Sequence, residues 1–136
     1  MSEGIYISIK PKPMDKIVKK IKNYEFRNYI PKEKFKFLYV YVPLPECQLK
    51  YVIEVGKIVK YPEKLQECGD GNLEFNEGKK TKYAYQILKV QELVKPISLK
   101  KLKEEFLFAP PQAFSYSKTY PKLTDYIENA KKVVVK

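Results

Sequence analysis

Histidine and tryptophan are absent from this 136-residue chain, and arginine occurs once, cysteine twice and glycine five times. Without histidine, neither a Ser-His-Asp nor a Cys-His nucleophile can be assembled. Cys47 and Cys68 lack the spacing of metal ligands and have no histidine to assist them, so they read as free thiols of a reducing compartment. No metal and no cofactor is expected. The few glycines form no phosphate-cradling loop, and Gly69-Asp70-Gly71 reads as a turn. No apolar run approaches the length of a membrane span, and the start carries no apolar signal core. The expected location is therefore the cytoplasm, with no membrane partner.

What is abundant is lysine. Twenty-seven basic residues against 16 acidic ones give a net charge of +11, which favours an acidic partner such as nucleic acid. Twelve tyrosines and seven phenylalanines suit strands and half-buried surfaces, where an apolar ring and a wet hydroxyl are both satisfied. The length is that of one domain, 1–136, able to bury a core without staples.

The charge borders one stretch near the start. Ile5, Ile7 and Ile9 alternate with Tyr6, Ser8 and Lys10, the period of a strand, with Ser8 and Lys10 opposite the isoleucines. Pro11 and Pro13 predict an extended link, then a helix from Pro13 to about Lys22. Met14, Ile17, Val18 and Ile21 form its apolar stripe, and Lys12, Lys16, Lys19 and Lys20 its other side. The exposed N-terminus of that helix reads as an anion site beside Lys10 and Lys12. Residues 24 to 29 read as a second strand in which Glu25 and Arg27 share a face. Arg27 is the single guanidinium of the chain, whose planar fork lysine does not replace.

Further on, Phe35 to Val42 reads as a central strand and Tyr51 to Val59 as the next. Glu54 lies inside the latter, where it must face solvent or find a cation. Pro62 to Cys68 reads as a short helix, and Asn72 as the cap of a short turn ending at Gly78. Thr81 to Val94 returns to strand. Ser98 caps a helix to about Phe106, and Pro121 to Ala130 is a helix burying Leu123, Tyr126, Ile127 and Ala130. Val133 to Val135 is expected at a sheet edge. The class is α+β, rich in strands.

The succession of strand, Ser8-x-Lys10-Pro11, helix and Lys22-x-x-Glu25-x-Arg27 resembles the start of an ASCH domain, a branch of the PUA-like superfamily. Pro96-Ile97 and the segment Pro110-Pro111-Gln112-Ala113-Phe114, running on to Tyr116, resemble the Pro-Pro-Gln-x-Phe tail of such domains. The similarity covers about residues 5–118 and leaves 119–136 as an appended helix and short strand. It departs at Lys20-Ile21-Lys22, where a glycine is usual. The resemblance implies a small, partly open β-barrel of five or six strands with short flanking helices. It also implies that Glu54 points into the cleft near Lys22 and Arg27.

The expected function is nucleic-acid binding, RNA above all, without catalysis. Lys10, Lys12, Lys16, Lys19, Lys20 and Lys22 would track phosphates. Phe114 and Tyr116 would stack on an unpaired base, while Ser8, Glu25 and Gln112 read base edges and Arg27 orients Glu25 or takes a phosphate. An ion pair of Glu25 and Arg27 that merely closes the barrel is the plainer reading. Some PUA-like amidohydrolases similar to this family use lysine, threonine and glutamate. Lys22 and Glu54 match two of these, but Glu25 stands at the threonine position. The alternatives are thus a hydrolase of modified nucleosides or of RNA, and a regulator sensing a small nucleotide-like ligand.

Overall fold

In the computed structural model, which describes residues 3–136, one strand is so apolar that both of its faces are covered. Strand β1 (Gly4–Ser8) sends Ile5 and Ile7 into one core and Tyr6 into another, all three fully buried. Gly4 permits this, because a Cβ there would run into the Tyr39 ring. Its parallel neighbour β3 (Phe37–Val42) does the same, with Leu38, Val40 and Val42 on one side and Tyr39 and Tyr41 on the other. The central strand read from the aromatic and β-branched run is thereby found.

Around this pair, β2 (Tyr24–Arg27), β4 (Gln48–Lys60), β5 (Tyr83–Ser98) and β6 (Ser115–Tyr116) complete a mixed sheet ordered β2-β5-β4-β3-β1-β6. A seventh strand, β7 (Lys132–Val134), pairs with the far half of β5. Among the described residues, only β1 and β3 pair in parallel. The sheet curls into a half-barrel, the small, partly open barrel expected above. Helices α3 (Leu99–Phe106) and α4 (Pro121–Asn129) cover the outer core through Leu102, Leu123 and Ile127. Ser98 caps α3 as expected, accepting from the Lys101 amide. On α4, however, Thr124 is buried and bonded to the Tyr6 hydroxyl, whereas Tyr126 is 38% exposed.

Three elements depart from expectation. Helix α1 (Pro11–Val18) takes both prolines into its first turn, so no extended link precedes it. It stops at Val18, which leaves Ile21 half exposed instead of on a buried stripe. Ile21 N donates to Lys16 O and Lys20 N to Ile17 O, a left-handed C-terminal cap with Lys20 at φ 65°. Residues 62–68 form a loop, not a helix. Asn76 explains it, since its side chain accepts from Leu65 N and donates to Leu65 O, so the loop's backbone polar groups are met from outside. Asn72 begins the short helix α2 (Asn72–Asn76) after Gly71 and does not cap it; its amide donates to Gln66 O, Cys68 O and Asn23 Oδ1. Both cysteines are free, Cys68 at the surface and Cys47 half-buried.

Candidate functional site

Among the described residues no ladder closes the half-barrel. Its two ends, β2 on one side and β1 with β6 on the other, meet through side chains, and these are the residues of the two sequence motifs. Arg27 Nη2 donates to Ser8 O at 3.0 Å, bridging the seam from β2 to β1. The Tyr29 hydroxyl donates to Ala113 O at 2.9 Å, and the Tyr116 hydroxyl accepts from Glu33 N. Ser8 Oγ donates to Pro111 O, so the Pro-Pro-Gln loop is tied to the end of β1.

Beneath the seam lies a compact charge cluster. Glu25 faces inward because it stands opposite Tyr85, whose ring belongs to the inner core, while Phe26 opposite Ala84 faces the other way. Arg27 Nε and Nη2 both donate to Glu25 Oε2, at 3.0 and 2.6 Å. Lys22 Nζ sits 3.0 Å from Oε1, but outside hydrogen-bond direction, so charge alone holds that oxygen. The side chains are 10, 6 and 17% exposed for Lys22, Glu25 and Arg27. Burial alone would lower the Arg27 pKa; the Glu25 carboxylate, with Tyr29, outweighs it and the net shift is upward. Burial raises the Tyr29 hydroxyl, with Arg27 opposing. Two cations share one carboxylate, so the cluster keeps one surplus positive charge at the mouth of the barrel.

The remaining lysines divide. Lys16 pairs with Asp70 and Lys19 with Asp15, both on the surface. Lys10, Lys12 and Lys20 are exposed and carry no ion pair among the described residues. The α1 N-terminus offers little to an anion by itself: Pro11 and Pro13 have no N–H, and the Met14 amide is spent on Lys10 O. Phe114 is half-buried, stacked on Tyr29 with centroids 5.2 Å apart and edge-on to Tyr116. Gln112 is exposed on the loop.

Glu54 is not in this group. Ile53 and Val55 take the inner face of β4, and Glu54 emerges on the other, opposite Lys89 and Phe37. The expectation that it meets Lys22 and Arg27 fails on strand parity. One residue went unread: Lys136 Nζ reaches Lys22 O at 3.5 Å, and burial, with Lys20 nearby, lowers its pKa. The two lysines are 114 positions apart, and no local pattern announces the contact.

No protein-family model matches the sequence, nor does any curated protein. Among solved structures, the ASCH protein of Zymomonas mobilis aligns with a TM-score of 0.69 at 22% identity, over 94% of this chain and 96% of that one. A tyrosine-to-phenylalanine variant of the same protein gives 0.72 at 20%, covering 94% and 99%. A serine-to-alanine variant gives 0.68 at 22%, covering 94% and 96%. The fold is that of an ASCH domain, as the two motifs imply.

Proposed function

We propose that this chain binds single-stranded nucleic acid, RNA in particular, along the barrel seam. The observation that carries the reading is the surplus cation of the Lys22–Glu25–Arg27 cluster at the seam, in a chain whose Lys10, Lys12 and Lys20 stand nearby in sequence without carboxylate partners. Two buried cations that share one carboxylate are only partly neutralised, and a phosphate reaching them would supply the missing charge. The Tyr29–Phe114 stack beside it offers aromatic surface for an unpaired base. The hydrolytic alternative built on Lys22 and Glu54 lacks its geometry, since Glu54 emerges on the face of β4 away from Glu25, the carboxylate that Lys22 meets.

The test is the salt dependence of binding to a fluorescein-labelled single-stranded RNA decamer. Replacing Lys10, Lys12 and Lys20 together by alanine should lower the slope of log affinity against log salt by about 0.7 for each phosphate that is no longer neutralised. Lys16→Ala/Lys19→Ala should change it less, because both ammoniums are already paired. An unchanged affinity and slope in the triple variant would refute the reading.

A further inference from the structure

A concavity away from the seam lies where α3 and α4 meet the end of β5. It is an open cleft of about 550 Å³, within the volume range of small-ligand pockets. Val94, Phe106 and Tyr126 supply apolar surface, and Lys95, Lys122 and Lys131 line it with a single carboxylate, Asp125. Val94 and Tyr126 remain 54 and 38% exposed, so their apolar surface is open to a ligand. The aromatic wall is also held in place. Tyr126 lies 5.4 Å from Phe106, ring to ring, and Lys101 Nζ both donates to its hydroxyl at 3.0 Å and covers its ring. A fixed ring loses little entropy when a ligand settles on it.

Apolar surface and a surplus of two positive charges occur together here, and neither a neutral apolar molecule nor a bare anion answers both. We propose that this cavity binds a small aromatic anion: a planar ring system carrying one carboxylate, sulfonate or phosphate. The rings take the face formed by Val94, Phe106 and Tyr126, and the anionic group pairs with Lys122 or Lys131.

The probe is 8-anilinonaphthalene-1-sulfonate, titrated into the full ¹⁵N-labelled chain and followed by amide chemical shifts. Saturable shifts are expected at Val94, Lys95, Phe106, Tyr126 and Ala130, with a Kd at or below about 100 μM. The uncharged counterpart, N-phenyl-1-naphthylamine, should bind about tenfold more weakly. Lys122→Ala/Lys131→Ala, at exposed positions, should weaken the sulfonate about tenfold and leave the amine unchanged, with the spectrum itself reporting the fold. Equal affinity for both probes, no saturation below about 1 mM, or shifts confined to the Lys22–Arg27 seam would each overturn the proposal. So would an RNA strand or an acidic peptide that displaces the sulfonate and binds more tightly than it does.

Discussion

The Glu25→Gln variant tests the cluster most directly. Glutamine nearly matches glutamate in shape, so the change removes charge and little volume. Lys22 and Arg27 then face each other across a neutral amide, with side chains only 10 and 17% exposed. Removing one partner of a buried ion pair costs about 3–5 kcal/mol. The residual exposure of both cations, and the amide oxygen that still accepts from Arg27, place the expectation near the lower bound, about 3 kcal/mol. With an unfolding entropy of about 2.1 cal/mol/K for each of 136 residues, that corresponds to a fall in Tm of roughly 10 °C. Urea unfolding followed by circular dichroism and tyrosine fluorescence measures it. A second arm asks whether anions read the surplus charge: 100 mM phosphate should stabilise Glu25→Gln more than the wild type, because the variant has a further unneutralised cation. A loss below about 1 kcal/mol would mean that the three groups are solvated and independent. Equal stabilisation of both forms by phosphate would mean that no anion reaches the cluster.

Lys20→Gly should stabilise the chain by about 1 kcal/mol in urea unfolding, since Lys20 holds a left-handed backbone that glycine adopts freely. Stability should fall above pH 10: burial raises the pKa values of Tyr6, Tyr29 and Tyr85, so the unfolded chain releases their protons first, and the stability present below about pH 10 is lost as pH climbs toward the folded-state values. Lys132 and Lys136, lowered by burial, work the other way and blunt the slope, which absorbance at 295 nm and urea midpoints at pH 9 and 11 would measure. Glu54→Gln should alter stability by less than about 0.5 kcal/mol and leave RNA affinity unchanged; a tenfold drop in affinity would return Glu54 to the site.

The sequence was legible where one local rule decides the outcome. Alternation placed Glu25 and Arg27 on one face, and the FKFLYVYV run could only be an interior strand. Ser98 before a helical stretch capped it. It was illegible where two faces are equally apolar. In Tyr51-Val52-Ile53-Glu54-Val55 both parities bury hydrophobic side chains, so nothing local says which way Glu54 points, and the resemblance supplied the wrong answer. Pro13 disfavours helical backbone at Lys12, which made an extended link the natural reading, yet the helix starts at Pro11. The loop at 62–68 depends on Asn76 and the fixing of Lys22 O on Lys136, both contacts invisible to any local window.

Arg27 serves two demands at once, and they can be separated. The Nε–Nη2 edge of its fork is already spent, with Nε and Nη2 on Glu25 Oε2 and Nη2 also on Ser8 O, where an unclosed sheet lacks ladder bonds. A phosphate cannot take those donors without opening the seam. On the proposed reading the lysines supply the charge that meets an RNA strand, and Arg27 ties the two sides of the seam together. Arg27→Lys keeps the charge and loses the fork. It should lower stability by about 1–3 kcal/mol, the worth of hydrogen bonds to charged groups. RNA affinity should fall while the salt slope stays within about 0.3 of the wild-type value, because every phosphate keeps its cation. If instead the slope drops by about 0.7 or more while the urea midpoint holds, Arg27 touches a phosphate and the seam closes without it.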